Sequence, residues 1–143
     1  MHRALLATRN ACTLLMAASL LGLMASGTAL GGKPQYSEIV ISDSEGGDEV
    51  EAFTPDTAKI HITADLVDVS PGMKVSSKWI AEKTKVAPPN YEIDSVAMTV
   101  APKINVAHFA LSKPNAGWPV GDYRVELSIN DKLAETVRFK VAQ

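Results

Sequence analysis

The chain reads as an all-β protein, a sandwich of seven antiparallel strands. Three observations carry that reading. From Glu38 onward, apolar and polar residues alternate with period two over short stretches. Pro, Gly, Asn and Asp cluster in the gaps between those stretches. No segment sustains a helical apolar period, and the gaps are too short for the crossover connections that parallel strands need.

The strands follow in order. Glu38 to Asp43 is the first, and it runs into the acidic stretch Asp43 to Glu51 around Gly46-Gly47, which reads as a solvated loop. In the second, Ile60, Ile62, Ala64 and Leu66 fall on a core face, and His61, Thr63 and Asp65 on a wet one. Met73 to Ala81, Tyr91 to Val100 and Val106 to Ser112 supply the third, fourth and fifth, with Met73 and Met98 as core filler. Pro71-Gly72, Pro88-Pro89-Asn90 and Pro114-Asn115-Ala116-Gly117 provide the turns around them. Tyr123, Val125, Leu127 and Ile129 set the core face of the sixth, and Leu133, Val137, Phe139 and Val141 that of the seventh. Only Asn130-Asp131-Lys132 separates these two, and Asn and Asp tolerate the left-handed backbone of a tight hairpin.

Ahead of the first strand, Arg3 and Arg9 precede the apolar run Leu14 to Met24, and small residues at Gly27-Thr28-Ala29 offer a peptidase site. Residues 1–29 therefore read as an export signal, and the mature protein is expected to be periplasmic or secreted, with no membrane span after cleavage. An uncleaved anchor over Ala11 to Leu30 ranks second. Cys12, the only cysteine, precedes the apolar run, unlike the cysteine of a lipoprotein signal. The mature chain divides into 30–57, with the first strand and the acidic loop, and 58–143, the rest of one sandwich domain. Its length lets it bury a core without disulfides or metal. Formal net charge is -2 over the full chain, which argues against nucleic acid as a partner.

Trp79 in the third strand, and Gly121-Asp122-Tyr123 entering the sixth, resemble the pattern of immunoglobulin-like and fibronectin type III-like sandwich modules. The segment Gly117-Trp118-Pro119-Val120-Gly121-Asp122-Tyr123 also resembles the end of small exported bacterial domains. The resemblance covers about Tyr36 to Gln143 and implies an immunoglobulin-like fold, with Trp79 between the sheets and the Tyr123 hydroxyl bonded back to nearby backbone. It departs from antibody-type domains in lacking a cysteine pair, and it implies no ligand.

No motif for catalysis or for a cofactor is present. There is no Gly-x-Ser-x-Gly elbow, and Gly46-Gly47 sits among acids, where phosphate is repelled. The expectation is a non-catalytic module that binds another protein of the cell envelope or takes part in its assembly. Trp118 and the loop with Pro88, Pro89 and Tyr91 are its candidate partner-binding residues, since aromatic loop residues give large contact area at small entropic cost. Against this, a Trp flanked by Gly and Pro commonly folds over the open end of a sandwich. Lys78, Lys83 and Lys85 near the second loop read as a solvated basic surface. The alternative is a metal-binding envelope protein. His61 and His108 share the outward parity of strands that an immunoglobulin-like order makes neighbours, where they could share Zn(II) or Cu(II). Asp43, Glu45, Asp48 and Glu49 offer oxygen donors for calcium, at spacings unlike an EF-hand loop.

Overall fold

The computed structural model describes residues 32–143; the expected signal over 1–29, with Cys12, lies outside them. The described residues contain eight strands and no helix. They are β1 (Gln35–Ser42), β2 (Ala52–Phe53), β3 (Lys59–Val67), β4 (Lys74–Thr84), β5 (Tyr91–Thr99), β6 (Val106–Ser112), β7 (Gly121–Ile129) and β8 (Lys132–Val141). Two sheets result, a small one ordered β1-β3-β6 and a large one ordered β2-β8-β7-β4-β5. Pro34–Gln143 is one compact unit.

Seven of the strands match the sequence reading, and the eighth corrects it. Ala52–Phe53 leaves the acidic stretch to pair in parallel with Lys140 and Val141 of β8, so the sandwich is not wholly antiparallel. A two-residue strand contains no period to detect, and its place is set by Phe53, whose buried ring meets Phe139 edge to face at 5.6 Å. Leu133 is a second correction. Ser128 pairs with Leu133 and Leu127 with Glu135, which leaves Ala134 as an extra residue. That bulge flips the parity before it, so Leu133 points outward and is 61% exposed, while Phe139 and Val141 are buried as expected.

The β7–β8 hairpin has the expected tight turn. Ile129 pairs with Lys132, and Asn130 and Asp131 both have positive φ, 51° and 69°. The turn is held sideways as well: Asn130 N donates to Lys74 O at 2.8 Å, and Asn130 Oδ1 accepts from Lys74 N at 2.9 Å.

Inward residues of both sheets form one core around Ile60, Ile62, Phe109, Trp79, Val125 and Leu127. Trp79 lies at its centre with its indole N–H donated to Ser77 Oγ. Tyr36 ties the sheets together, its hydroxyl donating to Ser128 O at 2.8 Å, and burial pushes its pKa up to about 12. Tyr123 takes the expected part: its hydroxyl donates to Pro119 O, and burial likewise raises its pKa to about 12.

Candidate functional site

Two loops distant in sequence meet at one end of the sandwich. In the β6–β7 loop, Gly117 N donates to Pro114 O at 2.9 Å, and Gly117 adopts φ +86°, closing a turn that delivers Trp118 inward. Trp118 is then fixed to the segment before β3. Its backbone N–H donates to Pro55 O at 3.0 Å, its indole N–H donates to Thr57 O at 2.8 Å, and its ring stands edge on to Tyr123. Facing it is the β4–β5 loop. Between the two lies a cavity of about 400 Å³, walled by Val86, Pro88, Tyr91, Pro114 and Pro119, with Trp118 at its base.

This geometry sorts the candidate residues. Trp118 is only 2% exposed, so the structure corrects its reading as an exposed anchor: the Gly and Pro beside it fold it over the open end of the sandwich. Pro88 and Tyr91 line the cavity, with Tyr91 52% exposed, whereas Pro89 is exposed outside the lining. Val86, among the most exposed apolar side chains of the described residues, had no sequence signal beyond its loop position. Thr84 was also missed. Its hydroxyl oxygen is buried at the cavity without a hydrogen-bond partner among the described residues, and such an atom favours an occupant that can bond to it.

The two histidines meet as their parity implied. His108 stands opposite Thr63 on β3, diagonal to His61, and His61 Nδ1 lies 3.0 Å from His108 Nε2. The rings are nearly parallel, 8° apart, yet their centroids are 5.2 Å apart. Rings with so close a nitrogen approach and so wide a centroid separation meet edge to edge, so one nitrogen donates to the other in plane. Both cannot be charged and keep that bond, because an imidazolium has no acceptor nitrogen. Glu45 of the acidic loop reaches to 3.9 Å from His108 Nδ1. His61 itself is buried, against the expectation of a wet face. Burial first, then the neighbouring His108 and Lys59, lower its pKa, opposed by Glu45 and Asp43.

The sign of the resulting pH dependence is fixed. A histidine whose folded pKa lies below its unfolded value binds its proton more readily in the unfolded chain. Its contribution to stability is therefore complete above the unfolded value of about 6.5 and is lost as pH falls from there toward the lowered folded value. Melting temperature is expected to drop over that window, and His61→Gln is expected to flatten the drop. An unchanged slope in the variant would assign the acid sensitivity to other groups.

Among the described residues, no group of three or more His, Cys, Asp and Glu side chains is placed to hold one metal ion. The acidic loop thus forms no calcium cage, and the histidines supply two nitrogens with Glu45 set behind one of them. Lys78, Lys83 and Lys85 are exposed, as a solvated basic surface requires. No described helix is long and apolar enough to cross a membrane.

No family model and no curated protein sequence matches the chain. Among solved structures, the chain is similar to an immunoglobulin-like protein from Pseudomonas aeruginosa, at 16% identity and a TM-score of 0.49, over 79% of this chain and 94% of that one. It is also similar to part of an alkylpurine DNA glycosylase from Pseudomonas fluorescens bound to DNA, at 9% identity and a TM-score of 0.47, over 79% of this chain and 31% of the glycosylase. A β-glucosidase from Kluyveromyces marxianus is matched at 19% identity and a TM-score of 0.45, over 78% of this chain and 14% of the enzyme. The fold rests on the chain's own strand order, the central Trp79 and the Tyr123 to Pro119 bond: this is an immunoglobulin-like β-sandwich.

Proposed function

We propose that the protein is an exported, non-catalytic immunoglobulin-like module that binds another protein of the cell envelope, or serves its assembly, through the apolar end of the sandwich. The observation that carries this is the convergence of the Pro88–Tyr91 loop and the Pro114–Pro119 loop on one cavity. A rigid sandwich holds both loops, so the surface is formed before the partner arrives and little ordering entropy opposes binding. Tyr91 and Val86 offer exposed apolar area at the rim, while Trp118 gives the base its shape from within the core.

Tyr91→Ser removes the exposed ring and leaves the core untouched. It is expected to weaken partner binding about tenfold or more, with melting temperature nearly unchanged. A photo-crosslinker at Val86 is expected to trap the species that co-purifies with the wild type. A Tyr91→Ser variant that binds as the wild type does would remove this end of the sandwich from consideration.

A second reading has its own support in the edge-to-edge approach of His61 and His108. A carboxylate behind the far nitrogen of a metal-binding imidazole is a recurrent arrangement, and Glu45 has that position relative to His108. On this reading the two rings move apart to admit metal–nitrogen bonds of about 2.0–2.1 Å, the shared proton leaves to solvent, and Zn(II) or Cu(II) takes its remaining ligands from water. The expected result is an upward shift in melting temperature on adding either ion, absent in His61→Ala and in His108→Ala. No shift in the wild type sinks the metal reading and leaves the binding module standing.

A further inference from the structure

The two sheets have unequal widths, three strands against five, and the mismatch leaves a strand-sized space. Ala81, Ser77 and Val75 of β4 are buried and face inward, and their partners on β5 are Tyr91, Val96 and Met98. Cross-strand partners share a face, so these three also face inward. Val96 and Met98 are nonetheless 38% and 36% exposed, because among the described residues no strand of the small sheet lies beyond β6 to cover them. The trough they line ends in the 400 Å³ cavity at Tyr91 and Ile93, and in a second of about 250 Å³ at Met98, Ile104 and Val106.

β6 bounds this trough with an open edge. Lys113 N donates to Ala58 O, and Leu66 N donates to Asn105 O, so the main-chain groups of odd-numbered residues on β6 point to β3. Alternation then turns the N–H and C=O of Val106, His108, Ala110 and Ser112 to the open side. Nothing blunts that side: Val106–Ser112 has no Lys, Arg, Asp, Glu or Pro, and its register with β3 is unbroken. The free edge of β5 differs. Its register with β4 shifts at Ile93, the extra residue opposite Trp79 and Ile80, and Asp94 Oδ1 accepts from the backbone N–H of Ser95.

We propose that the open edge of β6 receives an extended strand from a partner protein, which becomes the fourth strand of the small sheet and covers the trough along β5. This rests on the protein-binding reading above and names the chemistry of the partner. Charge determines what that strand carries. Lys103 and Lys113 flank β6 and make no ion pair among the described residues, so the strand has acidic ends. Asp94 pairs with Trp79 and shares the inner face, so the strand sets a basic or hydroxyl side chain at its middle among alternate apolar residues.

The test uses the protein from Leu30 onward and a short peptide of alternating Val and Thr, acidic at both ends and with one Lys at its centre. Binding is followed through the backbone amide resonances. The expected result is a saturable shift, with slowed hydrogen exchange, at the amides of Val106, His108, Ala110 and Ser112. The same peptide N-methylated at alternate residues is expected not to bind, because it cannot complete a ladder. Ala110→Pro removes one open-edge donor without touching the β3 ladder and is expected to weaken binding about tenfold. Lys103→Glu with Lys113→Glu is expected to do likewise and does not rely on a proline being tolerated. No shift at those four amides with peptide near 1 mM, roughly the weak limit of useful affinity, overturns the proposal, as do shifts confined to the β5 edge or equal binding by the N-methylated peptide. Self-association of the protein through the same four amides also overturns it, with a second copy as the occupant. The earlier reading fails separately, through Tyr91→Ser binding the native partner unchanged.

Discussion

Trp118→Ala is expected to destabilise the domain by about 3–5 kcal/mol, lowering the melting temperature by roughly 12–20 °C if each kcal/mol shifts it by about 4 °C. The side chain is fully enclosed and stands against Tyr123, so truncation opens a void beneath the loop that joins the two sheets. It also leaves Thr57 O without its donor. For a domain whose total stability is about 5–15 kcal/mol, such a loss is a large share of the whole. Thermal and urea denaturation check it directly. The contrast with Tyr91→Ser is what gives the result meaning: one residue at the cavity governs folding, and the other governs only what the cavity presents. If Trp118→Ala melted within a few degrees of the wild type, the indole would have to spend much of its time out of the core, and its role as a direct contact would return.

The same residues show how far the chain can be read without its structure. The hairpin at Asn130-Asp131 was legible because its turn chemistry is local, Tyr123 because it sits on a strand whose period fixes its face, and the central place of Trp79 only through the resemblance to immunoglobulin-like modules. Leu133 was misplaced by one extra residue, Ala134, since a bulge inverts parity without altering composition. The Ala52–Phe53 strand exists only through its pairing with β8, about ninety positions later in the chain. Burial of Trp118 depends on a carbonyl 61 residues away, and the cavity depends on two loops that no local pattern connects. For the histidines, parity foretold proximity, but the in-plane contact and the burial of His61 follow from side-chain packing that period-two reasoning does not contain. The width mismatch between the sheets was equally hidden, because strand count says nothing about which sheet each strand joins.

Gly121→Ala tests how tightly the cavity is coupled to the sheet beneath it. Gly121 opens β7 and pairs with both Thr84 and Val141, at φ +155°, a conformation that side chains seldom adopt. A Cβ there would overlap the carbonyl oxygen of Lys83 and press on Thr84 Cγ2 at 2.9 Å. The obstruction is backbone, which cannot swing aside as a flexible side chain can, so β4 and β7 must separate at their shared end. The expected cost is about 2–5 kcal/mol, from overpacking and backbone strain together. Gly46→Ala provides the comparison: its φ is +70°, but an added Cβ meets nothing within 4 Å, so only the conformational cost of about 1 kcal/mol remains. Because Thr84 and Tyr123 both line the cavity, Gly121→Ala is expected to weaken partner binding even at temperatures where the variant is still folded, whereas Gly46→Ala leaves binding intact. Equal stability of the two glycine variants would mean that β4 and β7 separate freely at this end, and a cavity with so loose a wall could not be the preformed surface on which the binding reading depends.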